Sequence, residues 1–176
     1  DVCSSDLRPD ELLVVSGSVG GAACALDSLK RGEPAPESNL LERPEPRLEL
    51  GRFLADHASA CIDISDGLLA DLGHILEQSG CSANVDIGSL PGTPGLAELA
   101  DAERWRFQLS GGDDYELLFT LPRSLREELP GWRERFGVDL TVIGEIEAGR
   151  GIRCIGPDGM AIEPERFGYE HFGNGS

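Results

Sequence analysis

Basic residues are scarce in this sequence of 176 residues, which holds 15 Lys and Arg against 32 Asp and Glu and has a formal net charge of −17. A surface this acidic repels phosphate backbones and anionic lipid, so we expect no nucleic-acid partner and no membrane partner. Apolar runs approaching the roughly 20 residues of a membrane-spanning helix are also missing. A small anionic ligand such as a nucleotide fits this composition if metal cations neutralise the local carboxylates.

Paired cysteines are missing as well. None of the five cysteines forms a CxxC pair, and Cys24, Cys61 and Cys154 stand among apolar residues. This pattern favours buried free thiols in a reducing cytoplasm over the alternatives of a disulfide framework or a zinc site. The N-terminus lacks the basic and apolar regions of a signal peptide, so we expect a cytoplasmic protein.

The N-terminal end suggests that the sequence is part of a longer protein. The only methionine is Met160, and the first seven residues, DVCSSDL, match a translation of the end of a common sequencing adaptor. We therefore interpret residues 1–7 as an artefact joined to a truncated reading frame, and residues 8–176 as the remaining domain. The alternative is a natural polar N-terminus, which a continuous upstream genomic frame encoding DVCSSDL would establish.

Strand and helix patterns alternate along the chain. The apolar pattern predicts strands within 11–19, 60–65, 81–91, 115–122, 140–147 and 151–156. Helical spacing predicts helices over 19–32, 47–58, 66–79, 93–105 and 125–136, the fourth of them weakly. The four prolines between residues 33 and 46 indicate a surface connection. We expect an α/β (α+β) fold in two layers, with helices packed on one face of a mixed sheet.

The stretch IDISDGLLADL at 62–72 is the sharpest local feature. It places Asp63 near a strand end, Ser65 at the predicted N-cap of a helix and Asp66 in its first turn. Such a junction presents unpaired N–H groups to a phosphate, and its two carboxylates suit a Mg²⁺ that bridges protein and phosphate oxygens. The same residues also fit a purely structural role, with Ser65 as a cap and Asp66 beside the positive end of the helix dipole.

Two glycine-containing stretches and the histidines are weaker signals. In LSGGDDYELLF at 109–119, two glycines permit close backbone approach to a ligand; the alternative is a turn with solvated carboxylates. The stretch SGSVGGAACAL at 16–26 lacks the Lys-Ser/Thr of a P-loop and the spacing of GxGxxG, which favours tight helix packing. The histidines, His57, His74 and His171, lack ligand spacing, so surface or capping roles are expected.

Five stretches from about Pro9 to Phe172 together resemble the C-terminal half of thiamine-monophosphate kinases. In family order they are VVSGSVGGAACAL, RPEPRLELG, CIDISDGLLADLGHI, LSGGDDYELLF and GYEHF. That family belongs to the ATP-binding superfamily of aminoimidazole ribonucleotide synthetase and selenophosphate synthetase. Any one stretch is a modest signal, but five in the family order make chance similarity improbable.

The resemblance implies an activity and a set of site residues. Enzymes of the family transfer the γ-phosphoryl group of ATP to thiamine monophosphate, giving thiamine diphosphate and ADP. By resemblance, Asp63 and Asp66 bind Mg²⁺, Ser65 contacts the nucleotide, and Asp113 and Tyr169 contact the thiamine substrate. Asp113 stands where the family usually has Glu, which shortens its reach by one methylene group. The attacking phosphate is already ionised near neutral pH, so no general base is needed.

The resemblance also implies that an N-terminal domain is missing, with further metal-binding aspartates, much of the ATP site and the dimer interface. We therefore expect the chain alone to be nearly inactive and the full-length protein to be a homodimer. Two alternatives remain: another enzyme of the superfamily, such as a selenophosphate synthetase, and a non-catalytic nucleotide-binding module. The motifs GGDDYELLF and GYEHF favour the thiamine enzyme.

Overall fold

A computed structural model describes residues 7–163 of the chain. Its strands are β1 (Leu12–Ser16), β2 (Ala60–Asp63), β3 (Cys81–Asp86), β4 (Leu117–Leu121), β5 (Leu140–Ala148), β6 (Gly151–Ile155) and β7 (Ala161–Ile162). Its helices are α1 (Gly21–Arg31), α2 (Ser38–Glu42), α3 (Leu48–Leu54), α4 (Leu68–Ser79), α5 (Pro94–Ala97), α6 (Asp101–Ser110) and α7 (Leu129–Phe136). Strands and helices alternate along most of this length, as the apolar periodicity predicts.

The strands form one mixed sheet in the order β2-β4-β1-β5-β3-β6-β7. All neighbouring strands run antiparallel except β3 and β6, which are parallel. β1 lies between β4 and β5 and is buried at every residue. The order brings the C-terminal end of β2 beside the N-terminal end of β4, where Asp63 pairs with Leu117. Two of the motifs therefore meet at one end of the sheet.

One face of the sheet is covered by α4 and α6. The stripe of α4 includes Leu68 and Leu72, which are fully buried, and it shares a hydrophobic core with Leu13 and Val15 of β1. Leu109 of α6 joins the same core. Because alternate residues of a strand point to opposite faces, the other residues of β1 must face a second core.

Helices α3 and α7 cover the second face. There Leu54 and Trp132 pack with Leu12 and Val14 of β1 and with Phe119 of β4. The expected mixed α/β sheet is confirmed, but the expected two-layer arrangement with helices on one face is too simple. The physical reason is that β1 and β4 are apolar on both sides, so each of their faces needs a covering layer.

Several element ends differ from the sequence prediction; for example, α3 ends at Leu54 rather than 58, and the helix predicted over 93–105 is divided into α5 and α6. α4 begins at Leu68 rather than 66, and α6 continues to Ser110, just before two glycines. The strand predicted over 81–91 ends at Asp86, whose carboxylate accepts hydrogen bonds from the Gly88 N–H at 3.0 Å and the Ser89 hydroxyl at 2.6 Å. These local bonds start a 3-10 turn and compete with the sheet for the chain.

The described cysteines form no disulfide, as predicted: Cys61, Cys81 and Cys154 are buried thiols and Cys24 is half-buried. Burial raises the pKa of the Cys61 thiol to about 12. Among residues 7–163, no helix combines the length and apolar character that crossing a membrane requires.

Candidate functional site

The predicted metal ligands lie at the connection between β2 and α4, with Asp63 at the end of the strand and Asp66 within the turn. Asp63 is the last residue of β2 and is exposed, Ser65 is half-buried, and Asp66 is exposed. Gly67 follows with a φ of +119°, a backbone conformation that side chains disfavour, and α4 begins directly after it. The structure thus places Asp66 before the helix, so the expectation that it stands in the first helical turn is wrong.

Asp71 organises this turn, a role that the sequence analysis missed. Its Oδ2 accepts hydrogen bonds from the N–H groups of Ser65 at 2.9 Å, Asp66 at 3.1 Å and Gly67 at 3.2 Å. Gly67 occupies the N-cap position of α4 and provides no side-chain cap, so the expectation that Ser65 caps the helix is also wrong. Asp71 is only 2% exposed, and it lies between buried apolar residues of the α4 stripe. An acidic residue on an otherwise apolar helix face was the sequence signal that could have predicted a buried, hydrogen-bonded carboxylate here.

The engagement of Asp71 changes the electrostatics expected at this junction. Three N–H groups that the sequence analysis left open for a phosphate are already bound to a carboxylate. Burial raises the pKa of Asp71, while its three N–H donors oppose that rise. The turn therefore adds a further carboxylate beside Asp66, which favours cations over a directly bound phosphate.

Three possible metal ligands lie close together at this turn. The ligand atoms of Asp66, Asp71 and His74 all lie within 4.8 Å of one another. Asp66 and His74 are exposed, and Asp63 is not part of this group. The structure therefore brings Asp66 together with Asp71 and His74, where the sequence analysis paired it with Asp63. Exposed carboxylate oxygens are donors that Mg²⁺ accepts, so Asp63 and Asp66 fit such an ion chemically.

The second acidic motif is joined to this turn by backbone hydrogen bonds. The Asp113 N–H donates to the Ser65 carbonyl at 3.0 Å, and the Tyr115 N–H donates to the Ile64 carbonyl at 2.9 Å. In return, the Ile64 N–H donates to the Glu116 carbonyl at 2.8 Å. These bonds extend the β2–β4 pairing beyond the strands. The predicted substrate residue Asp113 and the predicted nucleotide residue Ser65 are thereby fixed side by side.

The residues around Asp113 adopt uncommon backbone conformations. Asp113 has a φ of +66° and Tyr115 a φ of +52°, and both side chains are exposed. The Tyr115 hydroxyl donates a long hydrogen bond of 3.4 Å to Asp113 Oδ1. Gly112 passes so close to the neighbouring turn that a Cβ atom there would lie 2.4 Å from the Ser65 carbonyl oxygen. Such conformations cluster at functional sites, because the surrounding structure has to impose them.

The remaining acids of the motif point into the protein. Asp114 accepts hydrogen bonds from the Gly20 N–H at 2.7 Å and the Ala22 N–H at 3.4 Å. Burial is the main cause that raises its pKa to about 7. Glu116 is buried and pairs with Arg47, whose Nη2 lies 2.6 Å from Glu116 Oε1. No local sequence signal indicates these roles of Asp114 and Glu116, since the partners of both acids are distant in the sequence.

A cleft opens beside the glycines that precede Asp113. It has a volume of about 430 Å³ and lies between α1 and α6. Its lining includes Gly111 and Gly112 together with the basic side chains of Lys30 and Arg106. In a chain with 15 basic residues and 32 acidic ones, this cleft is lined by two basic side chains and one acidic side chain, that of Asp27. Tyr169, the other predicted substrate contact, lies outside the described residues.

Comparison with known proteins gives consistent matches in sequence and structure. Residues 8–156 match the family described as AIR synthase related protein, C-terminal domain. The thiamine-monophosphate kinase of Salmonella typhimurium is 38% identical over 177 residues, covering 96% of this chain and 54% of that protein. The chain therefore spans about half the length of the curated relatives it matches.

Two solved structures resemble the fold closely. The crystal structure of thiamine-monophosphate kinase from Stenotrophomonas maltophilia K279a superposes with a TM-score of 0.81 at 38% identity, covering 88% of this chain and 52% of that one. The structure of AaThiL complexed with AMPPCP and TMP gives a TM-score of 0.71 at 29% identity, covering 90% of this chain and 51% of that one. Both matches cover about half of the solved chain.

Proposed function

Because the chain belongs to the family of AIR synthase related proteins, of which it contains the C-terminal domain, we propose that it is half of a thiamine-monophosphate kinase. The reaction is the transfer of the γ-phosphoryl group of ATP to thiamine monophosphate. The observation that supports this most is the hydrogen-bonded contact between the turn at Ser65 and the segment at Asp113. It joins the two motifs that, by resemblance, hold the nucleotide and the thiamine substrate.

In this proposal the exposed acids of the β2–α4 turn hold Mg²⁺. Asp63 and Asp66 offer carboxylate oxygens to solvent, the donor type that Mg²⁺ prefers. When bound, the metal supplies positive charge that neutralises the triphosphate of ATP. Ser65 uses its N–H for Asp71 and its carbonyl for Asp113, so its hydroxyl is the group that it can offer to the nucleotide.

The thiamine substrate is assigned to Asp113, which is hydrogen-bonded to the proposed nucleotide residue Ser65. Asp113 is exposed beside Ser65, which brings an acceptor for the substrate next to the nucleotide site. Tyr169 is proposed to lie against the substrate. Both reactants are polyanions, so charge neutralisation and alignment for in-line attack account for most of the catalysis. Because the substrate phosphate is ionised near neutral pH, no residue of the chain acts as a general base.

The chain covers about half the length of its relatives, which leaves room for a second domain in the complete protein. We take residues 1–7 as an adaptor-derived artefact and residues 8–176 as the C-terminal domain of a longer cytoplasmic protein. The missing N-terminal domain supplies the other part of the ATP site and the surface for a homodimer. Alone, the chain binds ligands weakly and turns over little substrate.

Titration calorimetry tests the proposed ligands and their residues. We expect the purified chain to bind Mg·ATP and thiamine monophosphate, with Asp66→Asn weakening the first and Asp113→Asn the second, each by about 10-fold or more. Glu134→Gln, which removes an exposed acid of α7, serves as the matched control and leaves both affinities unchanged.

The alternative functions give other results in the same experiment. A non-catalytic nucleotide-binding module binds Mg·ATP and ignores thiamine monophosphate. Another enzyme of the superfamily, such as a selenophosphate synthetase, also binds Mg·ATP. In that case Asp113→Asn does not change the affinity for thiamine monophosphate. If neither ligand binds, the proposed function is contradicted.

A further inference from the structure

The acidic motif at 113–116 divides its side chains between solvent and the protein interior. Asp113 and Tyr115 are exposed, whereas Asp114 is half-buried and Glu116 is 7% exposed. The two interior acids contact different segments, and each of these segments is a separate motif of the sequence. Three other motifs, which are distant along the chain, therefore converge on four consecutive residues.

Asp114 holds the glycine turn that begins α1. Its carboxylate accepts hydrogen bonds from Gly20 and Ala22, residues that precede it by 94 and 92 positions. Gly20 is the N-cap residue of α1 and has no side chain to satisfy the first N–H groups of the helix, so Asp114 replaces the missing cap. Gly20 has a φ of +86°, and a Cβ there would lie 2.7 Å from the Gln108 nitrogen, so the turn needs glycine.

Glu116 holds the segment before α3. Arg47 binds it through two parallel hydrogen bonds, from Nε to Oε2 at 2.9 Å and from Nη2 to Oε1 at 2.6 Å. The Ser16 hydroxyl donates to Oε2 at 2.5 Å and in turn accepts the Leu117 N–H at 2.9 Å. A Cβ atom at Gly17 would lie 2.0 Å from Glu116 Oε1, so the glycine turn also makes room for this pair.

Between these two anchors, the backbone at 113–115 is held in its uncommon conformation. Asp113 and Tyr115 both have positive φ angles, which non-glycine residues keep only when the surrounding structure imposes them. Their N–H groups donate to the carbonyls of Ser65 and Ile64. Asp114 lies between the two strained residues and Glu116 directly follows them. Both interior acids are therefore placed to impose the strain.

We propose that Asp114 and Glu116 are positioning residues, which fix Asp113 against the Ser65 turn by anchoring its segment to the glycine turn and to Arg47. This inference rests on the proposed function for the ligand that Asp113 meets. It adds that substrate binding depends on two acids that do not touch the substrate. It also gives a function to the SGSVGG and RPEPR motifs, which serve as the two anchor points.

Amide hydrogen exchange and calorimetry on the full chain test the inference together. The variants are Asp114→Asn, Glu116→Gln and Arg47→Lys, the last of which keeps the charge but loses the two-bond geometry. Asp101→Asn is the matched control, since Asp101 forms an exposed ion pair with Arg104 at 2.8 Å, away from the motif. Thermal unfolding of every variant is recorded alongside.

The expected result is local. Exchange of the Asp113 and Tyr115 amides accelerates about 10-fold or more in the three variants, while amides of the β3–β5 pairing keep their rates. The dissociation constant for thiamine monophosphate rises about 10-fold, and that for Mg·ATP changes less than about 2-fold. Asp101→Asn alters none of these values.

The opposite results separate the two proposals. Unchanged exchange at Asp113 and Tyr115 in all three variants overturns the positioning role, whatever the ligands do. A loss of both affinities in proportion to the fall in unfolding temperature shows a merely structural role and also overturns it. If exchange accelerates as expected but the unmutated chain does not bind thiamine monophosphate, the anchoring stands and the proposed function is contradicted.

Discussion

Asp114 is the residue whose protonation is coupled most clearly to folding. Its pKa is raised to about 7, chiefly by burial and to a smaller extent by the nearby charges of Glu116 and Asp113. The N–H groups of Gly20 and Ala22 act in the opposite direction. The folded protein therefore keeps a proton on Asp114 at pH values where the unfolded chain has released it.

This shift predicts a pH dependence of stability. Because the folded pKa lies above the unfolded one, the contribution of Asp114 is fully present below about pH 4 and is lost as the pH rises to about 7. We expect the free energy of unfolding of the unmutated chain, relative to Asp114→Asn, to fall by roughly 2–4 kcal/mol between pH 4.5 and 8. Urea denaturation of both proteins across this range measures it.

Comparing the unmutated chain with Asp114→Asn cancels the contributions of the other titrating groups, because Asp71 and the remaining acids are common to both proteins. Asp101→Asn, which removes one exposed carboxylate of α6, provides the control for the loss of a single acidic charge. A constant difference for Asp114→Asn would contradict the assigned burial of this carboxyl group.

At the level of elements, the site depends on how two loops pack edge to edge. The turn between β2 and α4 is closed by Asp71, and the loop between α6 and β4 lies against it through Gly112. A Cβ atom at Gly112 would lie 2.4 Å from the Ser65 carbonyl oxygen, well inside van der Waals contact. Since backbone lies on both sides, neither loop can move away without breaking the bonds at Asp113.

A glycine-to-alanine pair tests this packing. Gly112→Ala is expected to lower the free energy of unfolding by about 2–3 kcal/mol, because the added methyl group must separate the loops. Gly131→Ala is the matched control: it lies in α7 with nothing within 4 Å of the new Cβ atom. It should stabilise the protein by about 0.5–1 kcal/mol through helix propensity. Equal effects of the two substitutions in urea denaturation would refute the close contact.

At the level of the whole molecule, the apolar pattern was sufficient to predict most elements but not their layers. α4 has a strong helical periodicity and β4 is a nearly continuous apolar run, and both occur close to the predicted bounds. The second helical layer was not predicted. A strand that is buried on both faces, such as β4, is apolar at nearly every position, so its sequence does not indicate which helices cover each face. The contact between Ser65 and Asp113 was not predicted, because the two residues stand 48 positions apart and register cannot be derived from spacing.

The interior acids could not be predicted for a related reason. Asp71, Asp114 and Glu116 look like ordinary charged residues in the sequence, and their roles depend on backbone groups that only the folded chain brings near. Asp71 stands on an apolar helix face, which is a local signal, whereas Asp114 meets residues more than 90 positions away. The sequence thus indicates which motifs matter but not which of their side chains point inward.

The central proposal is that this chain provides half of a phosphoryl-transfer site, with Asp63 and Asp66 for the metal and Asp113 for the thiamine substrate. The most direct test fuses residues 8–176 to the N-terminal half of the Salmonella typhimurium kinase and measures thiamine diphosphate formed from ATP and thiamine monophosphate. We predict turnover by the fusion, a loss of about 100-fold or more in kcat for its Asp63→Asn variant, and little turnover by the chain alone. A folded fusion without activity, or robust turnover by the chain alone, would contradict the claim.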